Sequence, residues 1–332
     1  MKRSYAFQKI KEVLGAVSFF LIYVAFFSGW IVSIRLIFYG SLFWKSLILI
    51  YILYIQISSA KCIFTIKGNG LRLARSNWLW KSLRRYFPIE LVKTEDLPAN
   101  RHYLFATFPH GVLTYGSAVN AGFDIDNWLA LFPGIRPKHT VLNLTYVTPL
   151  LYDFFRLSGF ISVSEKSVMN HLTSRWKGDG FSSNGVVIVV GGAQEALDSR
   201  PGQYELSLLK RKGFVRVAIK SGAAIVPCFT FGEVDSFDRW DGKWALMWQL
   251  CVKRLTGISL PLMKGRGGFP MPFRRRIVQV VGAPIEVQQS DIPRPEYVDE
   301  IHKKVVEGVN NLFETYKQKY IDDYENVKLI IK

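Results

Sequence analysis

The chain has 332 residues, 49% of them apolar, with a mean hydropathy of +0.13 and a net charge of +17. That length holds one large domain or two ordinary ones, and that hydropathy calls for a membrane segment. The charge asks for an anionic partner such as lipid headgroups or a phosphate-rich cofactor; the apolar N-terminus disfavours nucleic acid, and three scattered cysteines (Cys62, Cys228, Cys251) indicate neither a disulfide framework nor a zinc site.

In chain order, Lys2, Arg3, Lys9 and Lys11 precede an apolar run over 13–34, long enough at roughly 33 Å of helix to cross a hydrocarbon core about 30 Å thick. A second apolar run, 36–58, follows after Arg35 with one internal charge, Lys45. A cleaved signal peptide fits poorly, because the first run is too long and no small-residue cleavage pattern precedes the second. Both flanks are basic, so the positive-inside rule predicts a hairpin with both ends in the cytosol. Two full spans and a shallow re-entrant hairpin both accommodate Arg35 and Lys45. Residues 1–60 are therefore expected to anchor a cytosol-facing domain over 61–325. The stretch 66–98 mixes Trp78, Trp80, Leu83 and Phe87 with cations, a composition suited to the membrane interface or to an ordinary surface helix.

Beyond it, strand-like and helix-like segments alternate. Tyr103 to Thr107, Val186 to Val190, Ala224 to Phe231 and Ile277 to Val281 read as strands, and Phe214 to Ser221 as a helix. That order predicts an α/β fold with a mostly parallel sheet. The first strand runs into Phe108-Pro109-His110-Gly111, placing an imidazole at the carboxyl end of a buried strand, where open α/β sheets carry chemistry. Pro109 and Gly111 stiffen that turn, and a histidine so held suits general-base work near neutral pH. A satisfied histidine in a tight turn is the plain alternative.

Another chemical stretch is Val190-Gly191-Gly192-Ala193-Gln194-Glu195, directly after a buried-looking strand. Gly191 and Gly192 let a ligand approach backbone amides closely, and Glu195 is placed to orient or charge-balance His110. A simple strand-to-helix turn explains the same glycines. Lys210, Arg211, Lys212, Arg216 and Lys220 then cluster, either to meet phosphates or as a solvated helix face. Gly-x-Ser-x-Gly, a Walker loop and the dinucleotide glycine fingerprint are all absent, which favours direct attack by a bound acceptor over a covalent intermediate.

Taken in order, Phe108-Pro109-His110-Gly111, Phe132-Pro133-Gly134-Ile135, Gly191-Gly192-Ala193-Gln194-Glu195, Arg211-Lys212-Gly213-Phe214-Val215, Gly222-Ala223-Ala224-Ile225-Val226-Pro227, Phe231-Gly232-Glu233 and Val281-Gly282-Ala283-Pro284-Ile285 resemble the motifs of the diacylglycerol acyltransferase type 2 family. That family includes monoacylglycerol and wax-alcohol acyltransferases. The likeness covers roughly residues 60 to 320, and a looser one extends to the glycerolipid acyltransferases.

The resemblance implies an acyltransferase-like α/β domain behind an N-terminal helical membrane hairpin, in the endoplasmic reticulum membrane with lipid droplets as a further address. It implies acyl-CoA as co-substrate, no bound cofactor or metal, a neutral lipid acceptor, and room for a homo-oligomer. A wax alcohol, a lysophospholipid and a non-catalytic lipid-binding role are the alternatives. His110 takes the place of the second histidine of the family's His-Pro-His-Gly, while Phe108 stands where the first would be, and Tyr115 occupies the position of the glycerolipid enzymes' aspartate. Glu195 is the expected replacement acid, Gly191 and Gly192 the expected oxyanion donors, and Lys210, Arg211, Lys212, Arg216 and Lys220 the expected contacts for CoA phosphates.

Overall fold

In the computed structural model, which describes residues 2–65, 70, 72–174, 180–240, 242–256, 262–268 and 271–332, the apolar N-terminus forms two helices, α1 (Lys2–Tyr39) and α2 (Leu42–Thr65). Gly40 and Ser41 make the turn between them, and Arg35 and Lys45 sit close to it on either side, so both charges of the apolar runs lie at one end of the helix pair. Among the described residues, Leu42–Ser59 is long and apolar enough to cross a membrane, and Ser28–Tyr39 is a shorter apolar stretch.

Two short helices follow, α3 (Arg72–Arg75) and α4 (Trp78–Tyr86). Asn77 caps α4 by accepting the amides of Leu79 at 3.0 Å and Trp80 at 3.3 Å, which are orphan donors of the first turn. Helix α4 buries Trp80, Leu83 and Tyr86 and lies tightly against α1, where a methyl group on Gly15 would fall 2.5 Å from the Leu83 amide nitrogen. The amphipathic 66–98 stretch is thus partly an internal support, with residues 66–69 and 71 outside the described set.

The remaining elements are β1 (Ile89–Lys93), β2 (Tyr103–Phe108), α5 (Tyr115–Ser117) continuing into a π-helical turn (Ala118–Phe123), α6 (Asp126–Leu131), β3 (Ile135–Val141), α7 (Leu151–Leu157), β4 (Ile161–Ser162), α8 (Glu165–Thr173), β5 (Ser183–Val189), α9 (Gly192–Asp198), β6 (Tyr204–Leu206), α10 (Gly213–Ser221), β7 (Ala224–Phe231), β8 (Asp238–Arg239), α11 (Lys243–Thr256), β9 (Met263–Lys264), β10 (Ile277–Val281), α12 (Pro295–Tyr320) and β11 (Leu329–Ile331). Seven strands form one sheet in the order β1-β10-β7-β2-β5-β3-β4, parallel throughout except between β10 and β7. The mostly parallel α/β sheet expected from the alternating segments is present.

Because side chains alternate along a strand, β2 feeds two cores. Leu104, Ala106 and Phe108 pack with Val215 and Ile219 of α10 and Val305 and Val309 of α12; Tyr103 and Phe105 pack with Trp128 and Phe132 on the other face. Each such large apolar group contributes roughly 1.5–3 kcal/mol when fully buried. Strand β11 pairs with β6, and the Lys332 amide donates to Leu206 O at 2.7 Å, so the fold continues beyond the expected domain end at residue 325.

The feature that builds a site is the neighbourhood of β2. Thr107 pairs with Val189 of β5 on one side and with Cys228 of β7 on the other, all in parallel. The loops that follow these three strands therefore leave the same edge of the sheet, the edge where open α/β sheets bind ligands.

Candidate active site

The loop after β2 carries His110. Its Nδ1 lies 3.0 Å from the carbonyl of Gly111, an acceptor only, so the ring proton sits on Nδ1 and Nε2 presents a lone pair. Burial holds the imidazole below its usual pKa, with the Gly111 carbonyl pulling the other way, and the ring is neutral at pH 7. A neutral histidine with a free Nε2 can accept a proton.

The loop after β5 carries Glu195 on α9. Its Oε2 accepts the backbone amide of His110 at 2.8 Å and its Oε1 the amide of Ser207 at 2.8 Å. Among the described hydrogen bonds none joins this carboxylate to the imidazole, so Glu195 grips the backbone that holds the ring. Burial pushes its carboxyl up to about 7, against the pull of the His110 and Ser207 amides and of Arg211. Gly191 makes the arrangement fit: a Cβ there would stand 1.7 Å from the Glu195 carboxyl carbon.

The loop after β7 carries Glu233, which takes the other end of the His110 turn. It accepts the amides of Tyr115 at 2.7 Å and Gly116 at 2.8 Å, the opening donors of α5. Gly111, at φ +60°, lets the turn pass within reach of the Glu233 side chain, where a Cβ would lie 2.8 Å from its Cγ. Burial pushes the Glu233 carboxyl up to about 8, opposed by the same two amides. Two buried carboxylates thus fix the His110 turn at both ends.

His110 opens on a cavity of about 270 Å³, also lined by Gly192, Leu142, Phe155, Phe160 and, from α1, Ile22. His139 of β3 lines it too. Ser117 Oγ donates to His139 Nε2 at 3.0 Å while Nδ1 donates to Thr140 O at 2.9 Å, and burial pushes this imidazole down to about 4, so it stays neutral. Among the described lining residues none is Lys, Arg, Asp or Glu. The 141–159 segment supplies Val141, Leu142, Thr145 and Phe155 to the wall, as its apolar composition suits.

A model of the diacylglycerol acyltransferase family matches residues 36–332. This chain belongs to that family. It is similar to 2-acylglycerol O-acyltransferase 1 of Homo sapiens, with 38% identity over 76% of this chain and 77% of that protein, and to diacylglycerol O-acyltransferase 2 of Dictyostelium discoideum, with 37% identity over 77% of this chain and 78% of that one. A crystal structure of the 1-acyl-sn-glycerophosphate acyltransferase PlsC from Thermotoga maritima aligns with 92% of this chain and 98% of that one at a TM-score of 0.39 and 14% identity, too loosely to carry any argument.

As a member of the diacylglycerol acyltransferase family the protein is an acylglycerol O-acyltransferase. In this acyltransferase Phe108, at the position of the family's first motif histidine, is fully buried in the core against α10 and α12 and is not among the cavity's lining residues. Tyr115 is likewise buried, packed against Phe87 and Phe237. The expected CoA-binding cations divide. Arg211 lies near Glu195; Lys210 and Arg216 are exposed; Lys212 pairs with Asp299 at 2.6 Å, and Lys220, at the far end of α10, with Glu165 at 2.8 Å. Nothing in the sequence marks His139, and Phe231-Gly232-Glu233 stands out as a motif without disclosing that Glu233 clamps the His110 turn.

Proposed function

We propose that this acyltransferase transfers a fatty acyl group from acyl-CoA to the hydroxyl of a neutral acylglycerol, making triacylglycerol from diacylglycerol or diacylglycerol from monoacylglycerol, with His110 as general base. The observation that carries this reading is a neutral His110, its ring proton on Nδ1, lining a cavity whose described lining has no ionised side chain. An acceptor bearing a phosphate would leave its charge uncompensated there, at a cost of several kcal/mol. The names of the relatives, one a 2-acylglycerol and the other a diacylglycerol acyltransferase, support the same acceptor class.

In this mechanism Nε2 of His110 takes the proton of the acceptor hydroxyl as the oxygen attacks the thioester carbonyl, and returns it to the departing thiolate of CoA. Backbone amides at Gly191 and Gly192 stabilise the oxyanion, a contact worth roughly 3 to 4 kcal/mol. Gly192 lines the same cavity as His110, which supports that assignment. Lys210, Arg211 and Arg216 meet the CoA phosphates, and Lys212 and Lys220 join them only by leaving Asp299 and Glu165.

The helix pair α1 and α2 anchors the chain in the endoplasmic reticulum membrane with the catalytic domain in the cytosol. Ile22 of α1 lines the cavity, which supports entry of a bilayer-dissolved acceptor along the anchor. The deciding experiment offers diacylglycerol, monoacylglycerol, lysophosphatidate and hexadecanol together with labelled oleoyl-CoA. Label in triacylglycerol or diacylglycerol is the expected result; label in phosphatidate overturns the neutral-acceptor reading, and wax ester as the main product keeps the base and changes the acceptor.

A further inference from the structure

Helix α11 is out of keeping with a surface facing water. Trp244, Leu246, Met247, Trp248 and Leu250 are all exposed, Met247 to 70%, while Ala245 and Gln249 make its buried side. Trp240 just before it is exposed as well, with Lys264 of β9 5.4 Å from its ring centre. A contiguous apolar face of this kind on a monomer marks an interaction site, and tryptophan beside lysine and arginine is the composition of a helix lying in a membrane interface.

Charge and position name the surface it meets. Over 239–276 the sequence has nine Lys or Arg and one acid, Asp241, so about half of the chain's net charge of +17 falls in this segment. The segment is also tied to the base of the anchor: Arg274 pairs with Glu12 of α1 at 3.1 Å, and Tyr86 of α4 donates to Pro272 O at 2.7 Å. Glu12 lies at the start of the apolar run, before residue 13, where α1 leaves the basic flank.

We infer that α11, with Trp240 and Lys264 beside it, rests on the anionic leaflet through which the hairpin enters, as a second membrane contact beside the anchor. The inference depends on the anchor reading proposed above. Apolar burial of the α11 face and attraction between its cations and anionic headgroups act together in holding it there. Two contacts, one at the hairpin and one at α11, fix the rotation of the domain over the bilayer.

Cys251 is an exposed residue of α11, and Cys228 is buried, so a full-length Cys62→Ser chain can carry an environment-sensitive fluorophore at Cys251. In proteoliposomes of phosphatidylcholine and phosphatidylserine its emission should shift to the blue, be quenched by spin-labelled lipid and be shielded from iodide, with a smaller shift when phosphatidylserine is left out. Water-like emission quenched by iodide as freely as the unattached dye, in a chain that still resists carbonate extraction, overturns this inference alone. A shift that follows protein concentration at constant lipid assigns the face to a second copy and overturns it too. A chain that carbonate washes off overturns the anchor reading and this inference with it.

Discussion

Glu195 holds His110 by its backbone: Oε2 accepts the His110 amide at 2.8 Å, and the other oxygen is occupied by the amide of Ser207. A triad acid would touch the ring, and it would be replaceable only by another charge. This carboxylate instead needs two acceptor atoms at a fixed spacing, and that difference can be measured. In Glu195→Gln one oxygen becomes an amide group facing a backbone donor, so one of the two bonds is lost and the turn shifts. Since a displacement near 1 Å can cost about a hundredfold in rate, turnover should fall by roughly ten- to a hundredfold while KM for acyl-CoA stays within about threefold. Steady-state kinetics on microsomes decide it; near wild-type turnover means that the clamp does not matter for chemistry.

Gly191 offers a sharper version of the same test. A methyl group there would occupy the place of the Glu195 carboxyl, 1.7 Å from its carbon, so Gly191→Ala must expel the side chain. Its activity should match that of Glu195→Ala, and the double variant should be no worse than either single one, because both remove the same contact. Additive losses would separate the two residues.

With His110 as the proposed base, the acid limb of the pH dependence of turnover follows from its imidazole. Burial lowers its pKa, so the base form dominates at neutral pH and is lost only as pH falls through a value below the usual one near 6.5. The rate should decline in acid through this step, and His110→Ala should remove roughly a hundred- to ten-thousandfold of it with the chain still folded. His139, pushed down to about 4, contributes no step above that pH.

Much of this was readable in the sequence, for identifiable reasons. Strands β2, β7 and β10 and helix α10 announce themselves as β-branched runs or as an apolar period closed by Gly222, and the Pro109–Gly111 turn at a strand end points to His110. Pairing across the sheet is not local, however. That β7 lies beside β2 decides that Glu233 meets the His110 turn, and no property of Phe231-Gly232-Glu233 reports it. His139 sits in a strand between Lys138 and Thr140 with nothing nearby to mark it, and becomes a cavity residue only because β3 lies next to β5. The antiparallel β10 and the contact of Ile22 with the cavity depend on tertiary packing in the same way.

Stability should depend on pH through Glu233. Its carboxyl is pushed up to about 8 in the fold and lies near 4.5 when exposed, so the folded state binds the proton more tightly. The stabilisation is complete below about 4.5 and is lost as pH rises toward about 8; Glu195, pushed up to about 7, acts in the same direction over the lower part of that window. Thermal midpoints in detergent should therefore fall between pH 5 and 8 beyond what other groups cause, and Glu233→Gln should flatten that slope while lowering the midpoint overall. An unchanged slope would mean that the Tyr115 and Gly116 amides hold the carboxylate ionised throughout.

The proposed anchor makes the last prediction. Both flanks of the hairpin are basic, Arg35 and Lys45 lie together at the α1–α2 turn, and α1 is packed along α4 of the domain, so the two ends of the helix pair belong on the side of the domain. A tag at Met1 and a tag at Lys332 should both be reached by antibody in cells permeabilised only at the plasma membrane, and protease outside intact microsomes should digest the domain that follows residue 65. Full spanning and a re-entrant path then differ at the turn. A cysteine placed at Ser41 reacts with a membrane-impermeant thiol reagent from the lumen only if α1 and α2 both cross, whereas a re-entrant hairpin leaves it unreactive from that side. Protection of either terminal tag would contradict both forms of the hairpin, because it would require an odd number of crossings.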